Sequence, residues 1–218
     1  HCSTLCCRHL ERWPSTTSHT IPSAAGAKCA SQREGKRIRT RADYDHYGDK
    51  EDSERKTLTL VVKDRQSGAI FGDVADTKGP SDTWLVARTL ANIGILGRKN
   101  VAFKTDGEPS IVAFQSKIVA GREGMTMPRN PPAYNPESNG AIEKGVQDFN
   151  NQLRTIRFAL EERLGIQIPV DHPIMTWAAQ HAGFLITTCS VGHDGKTPCE
   201  RLGGRRWNRP LAEFGEQL

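Results

Sequence analysis

Seven apolar residues, Ile142, Val146, Phe149, Leu153, Ile156, Leu160 and Leu164, recur at steps of four, three, four, three, four and four. That spacing winds them into one narrow stripe along a single long helix. Beside the stripe lies a polar face with Glu143, Gln147, Asn150, Arg154 and Arg157. A helix divided in this way cannot be buried all round, and it is not stable alone. It needs one apolar surface to lie on, and the rest of the chain has to build it.

The upstream sequence supplies strands. The segment 40–47, TRADYDHY, reads as a strand with Asp43 and Asp45 on one face. After a charged loop at 49–56, the β-rich runs 57–63 (TLTLVVK) and 69–75 (AIFGDVA) are joined by RQSG, a hairpin signal. Three consecutive antiparallel strands are expected.

The period then changes. Ser81 or Asp82 can cap a helix over 82–96, with Trp84, Leu85, Leu90 and Ile93 at helical spacing. A strand at 100–105 ends at Asp106-Gly107, and a helix opens at Pro109 and runs to Ala120. Met125–Met127 reads as a last strand, the long helix starts near Asn139, and a final helix covers 172–189. Strands and helices in this order make an α/β domain with helices on the faces of a mixed sheet. Trp84 and Trp177 read as core anchors, Cys189 and Cys199 as buried or incidental thiols, and His172 and His181 as packing or capping groups.

Charge is unevenly distributed. Residues 1–41 hold eight Lys and Arg against Glu11 and Glu34, a surplus of +6, while the whole chain carries +5. A basic arm on a near-neutral domain suits a polyanionic partner, though a solvated tail reads the same from charge alone. No apolar run approaches the length of a membrane span, and no apolar stretch follows His1. The expectation is a nuclear or cytoplasmic protein, not secreted and without a membrane partner, and a piece of something longer. Its six cysteines are expected to be reduced.

Three acids stand where catalytic groups gather in such folds. Asp43 is mid-strand, where Asp is a poor strand former. Asp106 ends the fourth strand, and Glu143 lies in the first turn of the long helix. Each alone has a plain structural reading; Glu143 could simply answer the helix dipole. Three converging carboxylates could hold two Mg²⁺ ions with open positions, suited to displacement at phosphorus.

The stretch PPAYNPESNGAIEK (131–144) resembles the loop and catalytic-helix start of retroviral and retrotransposon integrase cores, whose form is close to PYNPQSxGxxE. Tyr134, Asn135, Pro136, Ser138, Gly140 and Glu143 match in place. KTDGEPSI (104–111) resembles the segment of that family's second acid, at Asp106, and 36 residues separate it from Glu143. RADYDHYG (41–48) resembles the strand of the first acid, best aligned at Asp43, with Asp45 the alternative on the same face. The downstream stretch to GGRR resembles copia-like polyproteins.

The resemblance implies a ribonuclease H-like mixed five-stranded sheet, three antiparallel strands followed by α-β-α-β-α. It implies polynucleotidyl transfer that inserts element DNA into target DNA. Asp43, Asp106 and Glu143 would be the catalytic acids and would ligate Mg²⁺ or Mn²⁺, two ions. Tyr134, Asn135, Ser138 and Asn139 would meet the DNA end. From the residues themselves, the polar face with Gln147, Asn150, Arg154 and Arg157 could meet phosphates, or it could simply be a solvated helix face. The partners implied are the element ends, the target DNA and further copies of the chain in a homo-oligomer.

Two departures stand out. The segment 18–31 resembles the end of the family's zinc module, with Cys29 at the last ligand, but Gly26 stands where its paired Cys belongs. Zinc needs a closed set of four ligands, so structural Zn²⁺ is not expected. Tyr44 is followed by Asp45, His46 and Tyr47, where relatives carry apolar or aromatic residues. A ribonuclease H-like nuclease, or a nucleic-acid-binding relic without activity, are the other readings. The expected organisation is a basic arm at 1–38, a catalytic domain at 39–190 and a basic tail at 191–218.

Overall fold

A computed structural model describes residues 38–47, 56–105, 107–129 and 140–216, with main chain only at 38–41 and 43–46. The expectations for the arm at 1–38, the loop at 130–139 and Asp106 fall outside these residues.

Five strands form one sheet. They are β1 (Ile38–Tyr47), β2 (Thr57–Asp64), β3 (Ile70–Val74), β4 (Val101–Lys104) and β5 (Thr126–Arg129), in spatial order β3-β2-β1-β4-β5. β1, β2 and β3 pair antiparallel in sequence, while β4 is parallel to β1 and β5 to β4. The parallel steps need crossovers, and helices α1 (Thr83–Ile95) and α2 (Pro109–Gly121) provide them. Then come α3 (Gly140–Leu164), α4 (Ile174–Cys189) and the short α5 (Pro198–Gly203). Among the described residues, no helix is long and apolar enough to cross a membrane.

Strand alternation divides the core into two layers. Leu60, Val62, Val101 and Phe103 pack with Leu85 and Ile93 of α1 and with Ile111, Phe114 and Ile118 of α2. On the opposite face, Tyr47, Val61 and Ile70 pack with α3 and α4 through Ile142, Phe149, Leu153, Ile156, Met175 and Ala182. The surface demanded by the α3 stripe is therefore the β1–β3 half of the sheet.

Local chemistry explains the element boundaries. Asp82, one of the two expected caps, accepts the Leu85 N–H at 2.8 Å through Oδ1 and the Asp76 N–H at 3.2 Å through Oδ2. In the β2–β3 turn, Asp64 Oδ2 accepts from both the N–H and the hydroxyl of Ser67, and Gly68 takes the left-handed φ of 81° that closes it. β3 is an edge strand, and α4 closes part of that edge. The Thr187 hydroxyl accepts the Ile70 N–H and donates to the Ile70 carbonyl, each at 3.0 Å.

Three packing expectations need correction. Trp84 is 47% exposed and Trp177 39%, so neither is a core anchor. In α1 the buried stripe is Leu85, Thr89, Asn92 and Ile93, and Trp84 sits one residue, about 100° of helix, away from it. In α4 the buried stripe is mostly small, with Ala178, Ala179, Ala182 and Gly183, because a Cβ at Gly183 would come within 3.0 Å of the Gly72 nitrogen and the Ile70 oxygen. A helix seated that closely has no room for an indole on its inner face. Leu164, the last stripe position, is 52% exposed, since α3 ends there and passes beyond the sheet.

The segment read as a tail includes α5, which packs on α4. Its Arg201 donates to the Ser67 carbonyl at 2.7 Å and pairs with Asp194, Nε to Oδ2 at 3.0 Å. That pairing holds the Asp194 carboxyl well below the usual range. Cys199 is buried and Cys189 exposed. His172 acts as a local acceptor, with Nδ1 taking the Ile174 N–H at 3.2 Å.

Candidate active site

The first turn of α3 is seated by its inner face. Ile142 is 1% exposed and Gly145 is buried, while Glu143 and Lys144 between them face solvent. Gly145 rests on Lys63 of β2. A Cβ at Gly145 would stand 2.7 Å from Lys63 Cδ and 3.4 Å from its Nζ. The glycine lets the helix lie on the aliphatic stem of a lysine, an arrangement that lengths of methylene chain permit. Burial pushes the Lys63 ammonium below its ordinary value, Asp148 acts against this, and Lys144 adds to it. Lys144 and Asp148 themselves pair at 2.8 Å.

Lys63 also fixes where the first acid's strand runs. It is the register partner of Arg41 in β1, and two residues further along Asp43 is the partner of Val61 and Asp45 of Thr59. On the other side, Arg41 is the partner of Lys104, the last residue of β4. Asp106 is two residues beyond Lys104 in sequence, so strand register sets positions 43 and 106 equally far from the Arg41–Lys104 pair along their chains. Thr105, which precedes Asp106, is buried and donates its N–H to the Arg129 carbonyl at 3.3 Å. Asp106 itself and the side chains of Asp43 and Asp45 lie outside the described residues. Of the three acids only Glu143 is placed atom by atom. Among the described residues, no three His, Cys, Asp or Glu side chains form a cation site.

The donor set nevertheless has the right chemistry. Oxygen ligands suit Mg²⁺ and Mn²⁺, and Glu143 is a solvent-facing carboxylate on a helix turn whose other face is locked. Such a ligand is held in place without being buried or spent in a salt bridge among the described residues.

The expected nucleic-acid face of α3 is not uniform. Gln147 is exposed, Asn150 and Arg154 are half-buried, and Arg154 Nη1 donates to Asn151 Oδ1 at 3.3 Å. Arg157 is turned inward: its side chain is 10% exposed and its Nε contacts Glu161 Oε1 at 3.0 Å. Glu161 Oε1 also accepts the Ile168 N–H at 2.7 Å, fastening the loop after α3. Tyr134, Asn135, Ser138 and Asn139 lie outside the described residues.

Sequence reading missed Lys63. Its only signal was a lysine at the end of an otherwise apolar run, TLTLVVK, and no local pattern says that a helix eighty residues later has a glycine to receive it.

No protein-family model matches the chain, and no curated protein matches it in sequence. Solved structures do. A chain of the simian T-cell lymphotropic virus intasome, in complex with the PP2A regulatory subunit B56 gamma, superposes with a TM-score of 0.55 at 21% identity over 80% of this chain. The match spans 57% of that chain. The HTLV-2 integrase catalytic core domain in complex with magnesium matches in its trimeric form with a TM-score of 0.54 at 18% identity, over 75% of this chain and 95% of that one. Its dimeric form gives 0.52 at 18% identity, over 77% and 95%. The chain therefore has the fold of an integrase catalytic core, an α/β ribonuclease H-like fold. At these identities the likeness is one of fold.

Proposed function

We propose that this chain is the catalytic core of an integrase, a metal-dependent polynucleotidyl transferase that inserts retroelement DNA into target DNA. The observation that carries the reading is Glu143: an exposed carboxylate in the first turn of α3, on a helix seated against Lys63 beside the strand of Asp43. The fold supports it, as does the presence of magnesium in the HTLV-2 core.

In this reading Asp43, Asp106 and Glu143 hold two Mg²⁺ or Mn²⁺ ions, which when bound supply Lewis acidity for displacement at phosphorus. The chain's own contribution is position. Ile142 and Gly145 keep Glu143 from moving along the sheet, and the β1–β4 register sets Arg41 opposite Lys104, each two residues ahead of an acid in sequence. The loop with Tyr134, Asn135, Ser138 and Asn139 meets the DNA end, and Gln147, Asn150 and Arg154 extend the contact along α3. Arg157 takes a structural part, fastened to Glu161. Several copies act together, in keeping with the intasome and the dimeric and trimeric forms of the structural relatives.

The test is incubation of the chain with a labelled DNA end, a second duplex, and Mg²⁺ or Mn²⁺. Joining of the end to the duplex is the expected product. Cleavage without joining assigns the ribonuclease H-like nuclease instead. Neither product, or activity unchanged in Glu143→Gln, refutes catalysis at this site.

A further inference from the structure

Between α1 and α4, along the edge of β3, lies a cavity of about 660 Å³. α1 packs on one face of the sheet and α4 on the other, so both overhang the edge strand. The segment 207–216 closes the third side. There Trp207 stands edge-on to Phe184, ring centroids 5.4 Å apart, and Phe214 lies against His181. The volume is that of a pocket for a small organic molecule. Glu143 does not line it, and the proposed catalysis leaves it unused.

α4 gives the cavity a mixed wall. Trp177, Gln180, His181 and Phe184 recur at steps of three, one and three, which sets them on one face of the helix. Gln180 is the polar step between two aromatic ones. Arg88 of α1 reaches across to it, Nη2 to Gln180 Oε1 at 3.4 Å. The same guanidinium donates through Nε to Asp73 Oδ1 at 3.3 Å, and Asn92 Nδ2 donates to Asp73 Oδ2 at 3.1 Å. Arg88 is thus anchored at the cavity wall, between the levels of Trp177 and Phe184.

What the cavity meets is the cation and not its partner. The Asp73 side chain is 3% exposed, that of Arg88 31%. A guanidinium carries five N–H donors, and Asp73 and Gln180 take one each. The others sit on the two Nη nitrogens, the edge that grips a carboxylate. The acids of the 207–216 segment are engaged elsewhere: Glu213 pairs with Arg163 at 3.6 Å, and Glu216 Oε2 accepts the Glu213 N–H at 3.2 Å. Beside the anchored cation, the Trp177 indole keeps 39% of its surface in solvent. One ligand can answer both groups, with a flat ring for the indole and a carboxylate for the guanidinium.

We propose that this cavity binds a small flat aromatic acid, its carboxylate on Arg88 and its ring against Trp177. The site needs neither DNA nor catalysis, so it stands or falls apart from the proposed function.

The experiment is a ligand-observed NMR titration of the full chain with 2-naphthoate. Half-saturation is expected at about 1 mM or below, the range open to a ligand of this size. Trp177→Ala and Arg88→Lys should each weaken binding about tenfold; the lysine keeps a charge for Asp73 and loses the fork. Ala212→Trp, which fills the cavity from the 207–216 side and leaves both groups in place, should abolish binding. Trp84→Ala, which removes a similarly exposed indole outside the cavity, should change nothing. The melting temperature of each variant separates a lost contact from a lost fold. Absence of saturation up to about 10 mM overturns the site. So does binding that survives both Trp177→Ala and Ala212→Trp, or a loss in Trp84→Ala as large as in Trp177→Ala. Binding of 2-naphthylmethylamine as tight as that of the acid overturns the assignment to Arg88.

Discussion

Phe149 of α3 occupies the space that a side chain at Gly72 of β3 would need. A Cβ at Gly72 would stand 2.8 Å from Phe149 Cδ2 and closer still to the outer edge of the ring. On the same face of the sheet, a Cβ at Gly183 of α4 would stand 3.0 Å from the Gly72 nitrogen. The long helix and its neighbour are both keyed to one glycine on the edge strand. Gly72→Ala is therefore expected to destabilise the fold by about 1–3 kcal/mol, through a ring that must leave its rotamer or a helix that must lift. Denaturant titration measures it. Phe149→Leu should recover part of the loss in the Gly72→Ala background, and failure to do so would show that Gly183, not Phe149, sets the limit.

Glu143→Gln removes a charge from an exposed, locked position and disturbs no packing, since only its neighbours Ile142 and Gly145 face inward. The melting temperature should hold. Metal-dependent joining should fall by more than about 100-fold, the scale of loss when a reacting centre is misplaced. A variant that keeps joining activity would remove Glu143 from the site.

Arg157 and Glu161 predict the opposite division. Both side chains are largely enclosed, at 10% and 15% exposure, and Glu161 also holds the Ile168 N–H. Glu161→Ala should lower stability by about 1–3 kcal/mol, the cost of stranding a buried donor and a charged partner. Arg157→Ala should leave affinity for duplex DNA where it was, whereas substitutions at Gln147 and Arg154 should lower it. Equal losses at all three positions would mean that Arg157 swings out to bind.

His181 gives a pH dependence. It is half-buried between Phe184, ring centroids 5.9 Å apart, and Phe214, 5.3 Å apart. Burial lowers its pKa from the ordinary 6.5. The folded state then binds the proton more weakly than the unfolded chain. The contribution of neutral His181 to stability is complete above 6.5 and is lost as pH falls through the lower, folded value. The unfolding free energy of the parent relative to His181→Phe should fall between about pH 7.5 and about pH 5. A difference that stays flat over that interval would place the imidazole in water.

Much of this architecture could be read from local pattern. The hairpin signal RQSG, the cap at Asp82, the proline opening α2 and the α3 stripe each act within a few residues, so sequence suffices to place them. The loop motif ending at Glu143 pointed to the fold that the solved structures share. Burial was less legible. Trp84 and Trp177 look like anchors because indoles are large and apolar, yet the helices that carry them turn them outward. One lies beside the buried stripe, and the other belongs to a helix pressed too close to β3 to admit it. Arg157 looks like a phosphate ligand from its helical position, and its partner Glu161 is visible four residues on, but the enclosure of both is not.

By itself the sequence determined the elements, their order and the acid at the head of the long helix, because those depend on periodicity, caps and turn chemistry within one stretch of chain. Only the tertiary structure decided register. That Lys63, Arg41 and Lys104 are partners in register, and that Gly145 settles on the first of them, follows from pairing between segments far apart in sequence. A shift of one residue in any strand would send its side chains to the other side of the sheet, and nothing local to that strand would record the difference.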